Sequence, residues 1–149
     1  MNPSQIEVLL VEDNPNDAEL TILALKEKNL LNQFVHLKNG AEAIDYIFAL
    51  GTYSHRSAED MPKVILLDIN MPKIGGLEVL RILRSDERTK MIPVVILTSS
   101  QHDRDIFEAY NLRVNSYIVK PVDFNKFMTA VAEIGLYWLL LNKPPVKIH

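Results

Sequence analysis

The stretch Val8-Leu9-Leu10-Val11-Glu12-Asp13 joins four consecutive apolar residues to a pair of acids, and its pattern recurs along the chain. Strands buried on both faces are apolar at every position, whereas half-exposed strands alternate between apolar and polar residues. Three further runs are apolar throughout: Val64 to Leu67, Val94 to Leu97 and Tyr117 to Val119. A weaker pattern at Gln33 to Leu37 is consistent with a fifth strand. The pattern predicts a parallel sheet covered by helices on both faces.

Helix start signals lie between these strands. Asn14 precedes Pro15, so a capping side chain comes before the residue favoured at the first helical position. Ser100 to Asp103 resembles a capping box, and Asp123 is a candidate cap for the last helix. The remaining helices are predicted at about Ala41 to Leu50 and Gly76 to Glu87, and the last helix carries an apolar stripe of Phe124, Phe127, Met128, Val131 and Ile134. Five β-α units in sequence predict a doubly wound α/β domain.

Length and composition exclude several classes of protein. With 149 residues, 48% of them hydrophobic, the chain is predicted to form one globular domain over residues 1–149, with a core at about 6–135. There are no cysteines, so disulfides and thiolate metal sites are excluded. The net charge of −3, without a long basic run, argues against direct nucleic-acid binding. We expect a cytoplasmic location, since no signal peptide or membrane-length apolar run is found.

Polar residues follow each of the buried strands. Glu12 and Asp13 end the first strand, Asp68 the third, Thr98 the fourth and Lys120 the fifth. In open α/β sheets, ligands bind outside the carboxyl ends of the strands. Three acids at one rim raise each other's pKa unless a cation neutralises them, and a few carboxylates suit Mg²⁺ better than zinc. The sequence therefore predicts a magnesium-dependent phosphoryl site.

Along nearly its whole length the chain resembles the receiver domains of two-component response regulators. The resemblance is carried by residues 8–14 (VLLVEDN), 67–72 (LDINMP) with Gly75 and Gly76, 93–99 (PVVILTS) and 117–121 (YIVKP). It implies a flavodoxin-like (CheY-like) five-stranded sheet of order 2-1-3-4-5 with five helices. It also implies that Asp68 is the phosphoacceptor. In that family Mg²⁺ is held by the positions of Asp13 and Asp68 and by the backbone carbonyl of Asn70, and Glu12 reaches the ion through water.

The resemblance assigns further roles. Lys120 and the Thr98 hydroxyl would contact the phosphoryl oxygens, and Ser99 could add a backbone N–H. The Lys120–Pro121 bond is cis in the family. Thr98 and Tyr117 match the family's switch pair, in which the aromatic ring rotates inward when phosphate draws in the hydroxyl. The alternative is that Tyr117 is a fixed, half-buried sheet residue with an exposed hydroxyl.

Two segments point to partners. Residues 136–141, LYWLLL, place apolar side chains on every helix face, so we expect an interface of Leu136, Tyr137, Trp138 and Leu139 that forms a homodimer. The alternative is that these residues fold back onto the domain, and residues 136–149 form a helix extension and tail. The loop from Gly51 to Pro62 is either solvated or in contact with a partner. Together with residues 113–117, these segments look similar to small cyanobacterial-type regulators that serve phytochrome histidine kinases.

The function predicted is a stand-alone receiver that accepts a phosphoryl group on Asp68 from a sensor histidine kinase and changes a protein-binding surface. The chief alternative is a magnesium-dependent phosphohydrolase. Haloacid dehalogenase-type enzymes carry a second Asp two positions after the nucleophile, where this chain has Asn70, so rapid turnover is not expected. The five glycines form neither a dinucleotide fingerprint nor a P-loop. An unphosphorylated scaffold is the remaining alternative, although all the expected site residues are present.

Overall fold

Five parallel strands form the centre of the molecule. The computed structural model describes residues 8–27, 34–57, 61–120, 125–126 and 129. The strands are Val8–Val11 (β1), Phe34–Leu37 (β2), Val64–Leu67 (β3), Val94–Thr98 (β4) and Ser116–Val119 (β5). Their order in the sheet is β2-β1-β3-β4-β5, and every neighbouring pair is parallel. The predicted sheet and strand order are confirmed.

Four α-helices and one short 3-10 helix connect the strands in the described part of the chain. They are Pro15–Glu27 (α1), Gly40–Ile47 (α2), Gly76–Ser85 (α3) and Asp103–Asn111 (α4), with the 3-10 helix at Gly51–Tyr53. Four of the five predicted helices lie in this part of the chain. The fifth, expected to begin after Asp123, falls mostly outside the described residues, of which 125, 126 and 129 are helical.

Helix caps agree with the sequence at Asn14 and differ from it at Ser100. Asn14 Oδ1 accepts hydrogen bonds from the N–H groups of Asn16 and Asp17, at 2.9 and 3.0 Å, and so begins α1 as predicted. The predicted capping box at Ser100 is wrong. His102 precedes α4 without a side-chain cap. The Ser100 hydroxyl donates to Asp105 Oδ2 in the first turn and accepts from the N–H of His102 at 3.4 Å, before the helix begins.

β1 and β3 are apolar at every position because each buries both faces. Leu9 and Val11 pack with the inner faces of α2 and α3, whereas Val8 and Leu10 pack against α1 on the other side of the sheet. The same alternation runs along β3 and β4. Two apolar layers therefore fix the sheet and leave the carboxyl ends of the strands as its polar rim.

The loop that follows α2 is anchored on that helix over its first part. The Tyr53 ring meets the Tyr46 ring edge-on at 5.0 Å, and its hydroxyl donates to Glu42 Oε1 at 3.2 Å. The Arg56 guanidinium lies 3.8 Å above the Tyr46 ring. Neighbouring side chains, His55 among them, are exposed, so contact with a partner stays a prediction. In the described ranges, no helix combines the length and hydropathy of a membrane span.

Candidate functional site

Three acids meet at the carboxyl ends of β1 and β3. Glu12 and Asp13 directly follow β1, and Asp68 directly follows β3. One carboxylate oxygen from each of the three lies within 4.8 Å of the other two. Glu12 and Asp68 are buried, whereas Asp13 is exposed. The structure therefore brings together the three acids that the sequence placed at one rim, with one of them open to solvent.

Lys120, which directly follows β5, carries its ammonium into this acidic cluster. Lys120 Nζ lies 2.6 Å from Glu12 Oε1, 2.8 Å from Asp17 Oδ2 and 3.3 Å from Asp68 Oδ2. Its side chain is only 12% exposed. Asp17 was not anticipated as part of the site. Asp17 lies three residues after the Asn14 cap, in the first turn of a helix that starts beside Glu12. This position in the sequence could have identified it as a site residue.

Backbone groups hold the acids in place. The N–H of Asn14 donates to Glu12 Oε2 at 3.2 Å, and the N–H of Asn70 donates to Asp68 Oδ1 at 3.3 Å. Nε2 of His36, on β2, makes a 2.9 Å hydrogen bond with the carbonyl of Glu12. Asn70 thus lies beside the phosphoacceptor candidate, and the use of its own carbonyl as a metal ligand stays a prediction.

The connection between β3 and α3 depends on a close backbone approach at Gly76. A Cβ at this residue would lie 2.0 Å from the carbonyl oxygen of Asp68. The N–H of Gly76 donates to the carbonyl of Ile69 at 2.9 Å. Glycine is required here because any side chain would push α3 away from the loop that carries Asp68.

The site contains more negative than positive charge. The pKa of Glu12 is raised to about 8, mainly by burial; the hydrogen bond to Lys120 lowers it and the neighbouring Asp68 raises it. Burial alone would lower the pKa of Lys120, but its hydrogen bonds with Asp17 and Glu12 raise it above its ordinary value. Among the described residues, one ammonium therefore faces several carboxylates, and these hard oxygen ligands suit a divalent cation.

Thr98, the last residue of β4, is fully buried. Its Oγ1 accepts a 3.3 Å hydrogen bond from the N–H of Ser100, and its carbonyl accepts a 2.7 Å bond from the N–H of Lys120. The Tyr117 hydroxyl donates to the carbonyl of Ser100 at 2.9 Å. The Tyr117 hydroxyl is therefore hydrogen-bonded, whereas the alternative of a fixed Tyr117 expects this hydroxyl to be exposed.

Some predicted residues lie outside the described part of the chain. They are Pro121, with its expected cis bond to Lys120, and the expected interface residues Leu136, Tyr137, Trp138 and Leu139. The cis bond and the dimer interface therefore stay predictions.

Comparison with protein families gives a match over most of the chain. The model of the response regulator receiver domain matches residues 8–132. The probable methanogenesis regulatory protein FilR2 of Methanothrix harundinacea is 38% identical over 138 residues, which cover 93% of this chain and 86% of that protein. Response regulator Rcp1 of Synechocystis sp. is 34% identical over 138 residues, covering 93% and 91% of the two chains.

Solved structures of response regulators also match this chain over most of its length. The Mn²⁺-bound form of Rcp1 superposes with a TM-score of 0.86 at 33% identity, covering 95% of this chain and 99% of that one. The phosphorylated cyanobacterial phytochrome response regulator RcpA has the same TM-score and coverage at 37% identity.

Proposed function

This chain belongs to the response regulator receiver domain family, and on that premise we propose that it is a stand-alone signalling switch phosphorylated on Asp68. The observation that carries the proposal is the position of the Asp68 carboxylate. It is buried at the sheet rim, 3.3 Å from Lys120 Nζ and within 4.8 Å of two further acids. The proposal includes a single domain over residues 1–149 and an output by binding to another protein.

Asp68 acts as the nucleophile in the proposed reaction. One carboxylate oxygen attacks the phosphorus of a phosphohistidine on a sensor histidine kinase. The new O–P bond forms as the N–P bond breaks, and the electron pair of that bond stays on the imidazole nitrogen. Lys120 lies where it can offset charge on the phosphoryl oxygens, and the Thr98 hydroxyl and the Ser99 N–H follow at the end of the next strand.

The acids of the site fit a magnesium ion. Asp13, Asp68 and the carbonyl of Asn70 would hold it directly, with Glu12 reaching it through water. When bound, Mg²⁺ supplies neutralisation of charge on the transferring phosphoryl group. The fit rests on three carboxylates whose ligand atoms lie within 4.8 Å of one another. The solved form of Rcp1 contains Mn²⁺, an ion of similar ligand preference.

A phosphohydrolase with rapid turnover is the weaker candidate. Its general acid would stand two residues after the nucleophile, and that position is Asn70, an amide that cannot donate a proton at neutral pH. The proposed protein therefore catalyses at most its own phosphorylation and slow dephosphorylation. Ser100, two residues past Thr98, and Asn70 are proposed to flank the path of the attacking water and to tune the second step.

The proposed partner is a phytochrome-type histidine kinase, since RcpA, at 37% identity, is a phytochrome response regulator. A homodimer formed by Leu136, Tyr137, Trp138 and Leu139 is proposed from the sequence of the last helix. A cytoplasmic location is proposed with it, because the absence of cysteine removes any need for an oxidising compartment.

The test is intact mass after incubation with acetyl phosphate and Mg²⁺. We expect one phosphoryl increment in the wild type, none with EDTA and none in Asp68→Asn. Asp45→Asn, which alters a carboxylate on α2 away from the site, is the matched control and should be phosphorylated normally. Continuous release of phosphate with rapid turnover would replace the switch by the hydrolase.

Two further arms address the partners. Phosphotransfer from a phosphorylated phytochrome kinase should be faster than from a kinase of another signalling system, and equal rates would remove the phytochrome assignment. Sizing by light scattering should give a dimer that Trp138→Ala weakens. A monomer in both phosphorylation states would overturn the proposed interface.

A further inference from the structure

Lys120 is shared between two sides of the site. Two of its carboxylate partners, Glu12 and Asp68, follow strands of the central sheet, and the third, Asp17, belongs to α1. The 2.8 Å distance from Lys120 Nζ to Asp17 Oδ2 is shorter than the 3.3 Å distance to Asp68 Oδ2. The ammonium therefore lies nearer to the α1 carboxylate than to the carboxylate that is to be phosphorylated.

The position of Asp17 is fixed by local backbone structure. Its N–H donates to the Asn14 side chain at 3.0 Å, and its carbonyl accepts a 2.9 Å hydrogen bond from the Thr21 hydroxyl. Pro15 limits the backbone of the same turn. Asp17 is thus held in the first helical turn, where the helix dipole stabilises a carboxylate.

We propose that Asp17 is a positioning residue that restrains Lys120 and slows phosphorylation of Asp68. This inference rests on the phosphoacceptor role proposed above for Asp68. A transferring phosphoryl group carries negative charge and needs the Lys120 ammonium, for which Asp17 competes. The same carboxylate charge favours a divalent cation in the neighbouring acidic cluster. Asp17 therefore acts in opposite directions on the cation and on the phosphoryl group.

The opposite effects of Asp17 on cation binding and on phosphorylation distinguish the proposed role from a purely structural one. Loss of packing or helix stability would weaken cation binding and phosphorylation together. Loss of the Asp17 charge should weaken cation binding but speed phosphorylation. Asp17 is 31% exposed, so its exchange for Asn removes the charge without opening a cavity in the core.

The test compares Asp17→Asn with Glu19→Gln, which removes the same charge from an exposed position on the same helix. Calorimetry measures the dissociation constant for Mg²⁺, and intact mass follows the rate of phosphorylation by acetyl phosphate at saturating Mg²⁺. In Asp17→Asn we expect the dissociation constant to rise and the phosphorylation rate to rise, each by about threefold to tenfold. Asp17→Glu, which restores the charge, should return both towards the wild type, and Glu19→Gln should leave both within about twofold because of screening.

The outcomes are distinguishable. If the wild type takes no phosphoryl group, the proposed function fails. If the wild type is phosphorylated but Asp17→Asn is unchanged or slower, the role of Asp17 is overturned while the phosphoacceptor stands. An equal response in Glu19→Gln would also overturn it, because general surface charge would then account for the effect. Far-UV circular dichroism monitors folding, and Asp17→Ser replaces Asp17→Asn if the latter does not fold.

Discussion

The hydroxyl of Tyr117 on β5 donates a 2.9 Å hydrogen bond to the carbonyl of Ser100, two residues beyond the end of β4. Ser100 is also bound through its hydroxyl to Asp105 Oδ2 at 2.5 Å, and through its N–H to Thr98 Oγ1 at 3.3 Å. One residue therefore joins the end of β4, the first turn of α4 and the aromatic ring of β5. A displacement of Thr98 by a phosphoryl group would act on all three elements through Ser100.

Tyr117→Phe removes the hydroxyl that contacts Ser100 and leaves the ring in place. We expect the free energy of unfolding to fall by about 0.5–1.5 kcal/mol, the usual contribution of one hydrogen bond. Urea unfolding measures the change. Tyr110→Phe, at an exposed position on α4, is the control and should be neutral. Equal stability of Tyr117→Phe and the wild type would show that the bond contributes nothing.

Gly76→Ala tests the approach of α3 to the loop that carries Asp68. The added Cβ would meet the Asp68 carbonyl at 2.0 Å, so the backbone must move, and we expect a loss of at least about 2 kcal/mol in stability. At Gly75 the nearest atom to such a Cβ is 3.5 Å away, so Gly75→Ala should cost less than about 1 kcal/mol. Denaturant unfolding of both variants gives the comparison, and similar losses would refute the steric argument.

Arg84 on α3 joins three segments of the chain through backbone carbonyls. Its guanidinium donates to the carbonyls of Lys90, Ile92, Leu112 and Arg113 at 2.8–3.1 Å. Arg84→Ala should therefore cost about 2–4 kcal/mol, since several acceptors lose a charged donor at once. Arg81→Ala removes an exposed arginine of the same helix and should cost less than about 1 kcal/mol. Thermal and urea unfolding measure both losses. Equal losses in Arg84→Ala and Arg81→Ala would contradict the stabilising role of the Arg84 hydrogen bonds.

The parts of the molecule that the sequence predicted are those fixed by local pattern. Runs such as Val8 to Val11 are apolar throughout because both faces of β1 are buried, and polar residues at strand ends converge because the strands are parallel. The acidic cluster of Glu12, Asp13 and Asp68 follows from that geometry. The predicted cap at Asn14 also held, since its side chain bonds the adjacent turn.

The features that sequence reasoning missed depend on contacts between distant residues. Lys120 and Asp17 are 103 positions apart, and no periodicity links them. The Ser100 hydroxyl donates to Asp105 Oδ2 and accepts from the N–H of His102, so it does not act as the predicted cap of α4. At the start of the loop from Gly51 to Pro62, the Tyr53 ring packs on the Tyr46 ring, a contact that the polar character of the loop does not predict.

Cation binding should depend on Asp13, the exposed acid of the cluster. Mg²⁺ is expected to raise the melting temperature of the wild type, because a ligand that binds the folded state stabilises it by mass action. Asp13→Asn should abolish most of this increase. Glu27→Gln, which alters an exposed acid at the far end of α1, should keep it. Differential scanning fluorimetry with and without Mg²⁺ measures the shifts, and an undiminished shift in Asp13→Asn would exclude this carboxylate as a ligand.

The buried carboxyl of Glu12 should make the metal-free protein less stable at alkaline pH. Its pKa is raised by burial to about 8 from an ordinary value of 4.5, so between these values the folded state holds a proton that the unfolded state has lost. Stability then falls as pH rises through this window, by an amount on the order of 1 kcal/mol or more. Urea unfolding in EDTA at about pH 5.5 and about pH 8.5 should show this decrease in the wild type and a smaller one in Glu12→Gln. Mg²⁺ should reduce the wild-type decrease, because it favours the ionised carboxylate. Identical pH dependence in the two proteins would mean that Glu12 is ionised throughout, and that Lys120 alone compensates its charge.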